Sequence, residues 1–79
     1  MAVTVRFFAA ARAATGVNEI TLDSSSAMHI LDQAAALHPK LGQVLPQCSY
    51  LLNEVSLRDL SVEVSDGSTL DVLPPFAGG

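Results

Sequence analysis

Ser24-Ser25-Ser26-Ala27-Met28-His29-Ile30-Leu31-Asp32-Gln33-Ala34-Ala35-Ala36-Leu37-His38-Pro39 carries its own start and stop. A serine hydroxyl can accept one of the first-turn N–H groups that a helix leaves unpaired. Ala27, Ile30, Leu31, Ala34 and Leu37 recur at i, i+3, i+4 and i+7, which puts them on one helical face. Pro39 ends the run at about His38, because the residue before a proline avoids the α region. A single amphipathic helix needs an apolar surface to pack on, and the flanking segments supply it as strands.

Toward the N-terminus, Glu19-Ile20-Thr21-Leu22 alternates polar and apolar, which predicts a short strand. Before it, the alanine-rich stretch Ala9–Thr15 predicts a short helix closed by Gly16. Val3, Val5 and Phe7 alternate with Thr4, Arg6 and Phe8 in a first strand. Toward the C-terminus, Pro39–Leu45 predicts one more helical turn, with Pro39 at its start. Tyr50–Glu54 and Ser61–Val64 predict a third and a fourth strand, and Asp66-Gly67 a tight turn. Thr69–Leu73 predicts a fifth strand, which Pro74-Pro75 ends because proline donates nothing to a ladder. The expectation is an α+β fold: a sheet of about five strands with the main helix packed across one face.

Strand parity then sorts the side chains. Val3, Val5 and Phe7 share the core face, and so do Leu70 and Val72. Phe8 points the other way with Thr4 and Arg6, and Leu73 with Thr69 and Asp71. A phenylalanine and a leucine on the polar side of a small sheet are a candidate partner-binding patch.

At 79 residues the chain makes one domain at most, and it buries only about 60–65% of the surface it exposes when unfolded. That leaves no room for a cleft between two domains. The chain is 49% hydrophobic and 15% charged, too apolar for disorder. No segment of roughly 18–20 apolar residues could span a membrane, and no basic n-region marks a signal peptide. Four Lys+Arg against eight Asp+Glu give a net charge of −4, which argues against nucleic acid and for partners with basic docking surfaces. With Cys48 the single cysteine, no internal disulfide is available, and a reducing cytoplasm is expected.

Catalytic and metal-binding candidates are sparse. His29 and His38 lie nine residues apart on the predicted helix, too far for one metal site, and read as solvated histidines. Cys48 has no CxxC partner and no neighbouring cation to activate it. Asp59, Glu63, Asp66 and Asp71 read as a solvated acidic surface, a share of them available to dock a basic partner. No phosphate-binding, hydrolase or zinc-protease motif occurs. The chain is therefore not expected to be catalytic alone, and no metal site is expected.

The unusual feature is the end of the given sequence, Pro74-Pro75-Phe76-Ala77-Gly78-Gly79. Two prolines stiffen the exit from the last strand. Glycines lack Cβ, so the last residues suit a channel too narrow for side chains. A free carboxylate becomes electrophilic once adenylated, and sulfur can then replace AMP. A folded body over residues 1–75 and a flexible tail over 76–79 follow as the expected organisation.

Val5-Arg6-Phe7-Phe8-Ala9 with Arg12 and Gly16, and Asp66-Gly67 followed by Leu70-Asp71-Val72-Leu73-Pro74-Pro75-Phe76-Ala77-Gly78-Gly79, resemble one family. It is the small, sulfur-carrying subunit of molybdopterin synthase, a ubiquitin-like β-grasp family, and the resemblance covers essentially the whole length. Where that family commonly has further acidic residues after the Asp-Gly turn, Ser68 and Thr69 stand here. Thiamine-pathway carriers share the fold and the Gly-Gly end but usually lack the double proline.

The resemblance implies that a ubiquitin-activating-like adenylyltransferase uses ATP to activate Gly79, and that a sulfur donor converts it to a thiocarboxylate. The tail Pro74, Pro75, Phe76, Ala77 and Gly78 would insert into the large synthase subunit within a heterotetramer. No cofactor would be bound by the carrier itself. A mixed sheet is implied, with the first and last strands parallel and adjacent, so that Phe8 and Leu73 meet at the root of the tail. A carrier for thiamine, cysteine or tRNA thiolation, a protein modifier, and an interaction module with an inert tail stand as alternatives.

Overall fold

Val3, Val5 and Phe7 project to one side of β1 (Ala2–Phe7) and are buried, whereas Thr4 and Arg6 between them are half-buried. Burying one such side chain is worth about 1.5–3 kcal/mol, so the alternation fixes which face turns inward. In this computed structural model residues 2–75 are described. The predicted tail, with Phe76, Ala77, Gly78 and Gly79, lies outside the described residues.

β1 is the second strand of a five-stranded sheet in the order β2-β1-β5-β3-β4. β2 (Glu19–Asp23) runs antiparallel to β1, and β5 (Thr69–Leu73) runs parallel to it. β3 (Ser49–Leu52) is antiparallel to β5, and β4 (Val55–Leu57) is antiparallel to β3. The helices are α1 (Ala9–Thr15), α2 (Ala27–Leu37) and α3 (Leu41–Val44), the last followed by a 3₁₀ turn at Leu45–Gln47. Ala11, Ala27, Ile30, Leu31, Ala34 and Leu41 from the helices meet Val3, Val5, Phe7, Leu70 and Val72 from the sheet in one core. Among the described residues no helix packs on the other sheet face. This is the expected mixed sheet with its main helix across one side.

The local signals act as anticipated. Gly16 closes α1 in the left-handed conformation (φ 76°), its N–H donating to Arg12 O at 2.8 Å. Ser26 caps α2: its Oγ accepts the His29 N–H at 3.2 Å. Gly67, at φ 83°, makes the turn into β5.

Three expectations need correction. Ser61–Val64 is not a strand; it makes a single bridge, Ser26 to Glu63. Its backbone serves α2 instead. Ala27 N–H donates to Val62 O at 2.9 Å, Met28 N–H to Leu60 O at 2.8 Å, and Val64 N–H to Ser25 O at 2.8 Å. First-turn amides have no partner inside their own helix, so this segment caps them. Its alternation is real, because Val64 is buried in the core.

The fourth strand is Val55–Leu57, and the third ends at Leu52 rather than Glu54. Asn53 and Glu54 both have positive φ (49° and 70°) and form the two-residue turn of a β3–β4 hairpin. Asn53 pins that turn to β5. Its Oδ1 accepts the Thr69 N–H at 2.9 Å, and its Nδ2 donates to Ser68 Oγ at 3.2 Å. Finally, Leu37 shares the helical face of Ile30 and Ala34 but is 60% exposed. It stands in the last turn of α2, beyond the core.

Candidate functional site

The site is built on the bare outer face of the sheet, at the end where β5 leaves it. β1 and β5 pair with Arg6 opposite Asp71 and Phe7 opposite Val72. Phe8 continues the extended backbone (φ −122°, ψ 152°), and its N–H donates to Val72 O at 3.3 Å. Parity therefore holds one residue past the strand. Phe8 and Leu73 come to the same end of the sheet, on the same face, and both are half-buried.

Arg6 ties the patch together. Its Nε donates to Asp71 Oδ1 at 2.6 Å and its Nη2 to Asp71 Oδ2 at 2.7 Å, a bidentate pair across two neighbouring strands. The guanidinium carbon lies 5.6 Å from the centroid of the Phe8 ring, within range of a cation–π contact. Asp71 is only 3% exposed although it sits on the open face, whereas the Arg6 side chain is 42% exposed. The Arg6 side chain thus lies across the carboxylate. Hydrogen bonding to Asp71, then its charge, hold the guanidinium pKa above its usual value, and Glu54 and Glu19 add to this. Across the strands one row reads Glu19, Arg6, Asp71, Leu51.

Asp71 therefore departs from the expected solvated acidic surface, whereas Asp59, Glu63 and Asp66 are exposed. Asp59 Oδ1 accepts the N–H and the hydroxyl of Ser61 at 3.0 and 2.6 Å, which lowers its pKa. Asp59 thereby organises its own loop.

The exit of β5 is asymmetric. Pro74 is buried and Pro75 exposed. On the β1 side the chain turns sharply at Ala9, whose φ of 48° is strained for a residue with a Cβ.

The remaining candidates are not brought to this site. His29 is an exposed residue of α2, and half-buried His38 caps its C-terminal end. Cys48 is half-buried; its Sγ donates to Val44 O at 3.3 Å, and burial pushes the thiol pKa up, away from nucleophilic reactivity. Among the described residues no three His, Cys, Asp or Glu side chains form a metal-ligand cluster, and no helix is long and apolar enough to cross a membrane. The Arg6–Asp71 pair is the feature that sequence reasoning missed. Its clue was present: both residues have outward parity on strands that a β-grasp sheet makes adjacent.

At this end of the outer face, half-buried Phe8 and Leu73 flank the Arg6–Asp71 pair. The chain is 35% identical to a molybdopterin synthase sulfur carrier subunit of Chlamydomonas reinhardtii, over the whole of both chains. Among the solved structures that share its fold are two complexes. One is a complex of subunits 1 and 2 of molybdopterin-converting factor from Helicobacter pylori 26695, at 24% identity and TM-score 0.76 over all of both chains. The other is the BexX/CysO complex of Amycolatopsis orientalis, at 27% identity and TM-score 0.83 over 98% of this chain and 99% of that one. The ThiS family profile matches residues 5–79. With its ubiquitin-like β-grasp sheet, the chain belongs to the ThiS family and is a homologue of the sulfur-carrying small subunit of molybdopterin synthase.

Proposed function

We propose that the protein carries sulfur for molybdenum-cofactor synthesis as the small, non-catalytic subunit of a molybdopterin synthase. The observation that carries this reading is the full-length identity of 35% to a subunit of that name. In the mechanism, the carboxylate of Gly79 attacks the α-phosphorus of ATP on a ubiquitin-activating-like adenylyltransferase. Pyrophosphate leaves and a glycyl adenylate forms. Sulfur at the sulfide level then attacks the carbonyl carbon and expels AMP, leaving a thiocarboxylate. In the large subunit this sulfur passes to a pyranopterin precursor, and water restores the carboxylate. Two transfers complete the dithiolene.

The carrier's own residues bind and position. Phe8 and Leu73 seat the body on the large subunit while Pro75 directs Phe76, Ala77, Gly78 and Gly79 inward. Gly78 and Gly79 lack a Cβ, so the end of the tail suits a channel too narrow for side chains. The acids and bases belong to the partner, and two carriers flank a dimer of large subunits. A cytoplasmic setting suits both the thiocarboxylate and the unpaired Cys48.

Incubation with the activating enzyme, ATP and a sulfide source should add the mass of one oxygen-to-sulfur exchange at the C-terminus. Deleting Gly79 should abolish this and leave the thermal midpoint unchanged, because extended terminal residues bury little area. A truncated chain that still accepts sulfur would refute the terminal-carboxylate mechanism.

A second reading, delivery of sulfur to a different acceptor enzyme, is favoured by the likeness to the BexX/CysO complex. It predicts the same thiocarboxylate but no single shifted species on size exclusion with the molybdopterin synthase large subunit.

A further inference from the structure

Among the described residues β2 is an outer edge of the sheet, paired only with β1. The phase of its hydrogen bonds is set by Asn18 O, which accepts the Phe7 N–H at 2.8 Å. Antiparallel pairs alternate, so Ile20 and Leu22 turn their backbone groups toward β1, and Glu19, Thr21 and Asp23 turn theirs away. Among the described residues nothing bonds these outward groups. On the inner side, Thr21, Leu22 and Asp23 border a groove whose other wall is Gln33, Ala36 and Leu37 of α2. Leu37 is 60% exposed there. On the outer side, the side chains of Glu19, Thr21 and Asp23 are exposed, with a carboxylate at each end.

We propose that this edge takes up an extended strand from a partner protein in which apolar and basic residues alternate. An added strand pairs with the outward N–H and C=O groups of Glu19, Thr21 and Asp23. Because its side chains alternate between faces, one set enters the groove against Leu22, Ala36 and Leu37, and the other lies beside Glu19 and Asp23. Opposite charges across a strand pair attract, so that second set is Lys or Arg. The same rule argues against a second copy. An antiparallel pairing centred on Thr21 would set Glu19 against Asp23 of the copy twice, like charge on like. The site is separate from the end of β5 that the proposed sulfur chemistry uses: β2 lies two strands from β5, about 10 Å away.

The test uses the whole chain and a blocked seven-residue peptide alternating lysine and valine, followed by amide NMR. Shifts and exchange protection should appear at Glu19, Thr21 and Asp23, with shifts at Ala36 and Leu37. Affinity should exceed that of a peptide of the same composition in two blocks, and of an alternating glutamate–valine peptide, by about tenfold or more. Thr21→Pro removes an outward N–H without losing a bond to β1, and should abolish binding with the fold intact. Asp23→Lys and Leu37→Ser should each weaken binding, and they decide the matter if the proline variant does not fold. Equal binding of the block peptide, wild-type affinity in Asp23→Lys and Leu37→Ser, shifts confined to Phe8 and Leu73, or a homodimer paired through β2 would each overturn the proposal.

Discussion

Phe7 and Phe8 are neighbours on the chain and face opposite sides of the sheet. Phe7 is 2% exposed and packs with Ile30, Leu41, Leu70 and Val72 in the core. Phe8 is half-buried, with the Arg6 guanidinium over its ring and Leu73 at the same end of the sheet. The inner face is closed by helices and holds the fold together. The outer face carries the Arg6–Asp71 ion pair and keeps an apolar patch beside the exit of β5. Two identical side chains thus stand one in the core and one on the outer face, and strand parity assigns them.

The largest effect should come from Phe7→Ala, which opens a cavity in the core at a cost of about 3–5 kcal/mol in urea or thermal unfolding. Phe8→Ala and Leu73→Ala should cost clearly less stability but weaken binding to the large subunit by about 1–3 kcal/mol in calorimetric titration. A Phe8→Ala melt as damaged as that of Phe7→Ala would erase the distinction between the faces.

A smaller effect concerns the ion pair. Arg6→Leu leaves the buried Asp71 carboxylate without its partner, whereas Arg6→Leu with Asp71→Leu removes both charges. The double variant should therefore melt higher than Arg6→Leu alone, because an unpaired buried charge costs more than a missing pair. Additive losses in a double-mutant cycle would show that the two residues are not coupled.

The smallest effect is expected at Ala9, where the chain turns away from Phe8 with φ 48°. Ala9→Gly should raise stability by up to about 1 kcal/mol, since glycine adopts this conformation without the Cβ clash. A lower melting temperature would mean that the Ala9 side chain, though exposed, contributes contacts that outweigh the strain.

Much of this was legible along the chain. Period-two alternation located β1, β2 and β5 and assigned Val3, Val5, Phe7, Leu70 and Val72 to the core. Serine and glycine marked the ends of α2 and α1. These are local effects, carried by residues within one or two turns of each other. The misreadings share a cause. Ser61–Val64 alternates like a strand, but what its backbone bonds to depends on the unpaired amides of α2, more than thirty residues earlier. Asn53-Glu54 makes its turn without glycine, held by a side-chain amide reaching to Thr69.

By itself, then, the sequence determined the main periodicities, the caps, the inward and outward parity of the first and last strands, and a Pro-Pro-x-x-Gly-Gly ending that already pointed to its family. Only the tertiary structure decided that outward-facing Arg6 and Asp71 form a part-buried pair. Arg6 and Asp71 stand 65 positions apart, and nothing in either local stretch says that the carboxylate will be buried under the guanidinium. That contact exists because β5 enters the sheet parallel to β1 and in a register set by the packing of Val5, Phe7, Leu70 and Val72 on the other face. A one-residue slip would expose that apolar set, so the core fixes the register and the register places the charges.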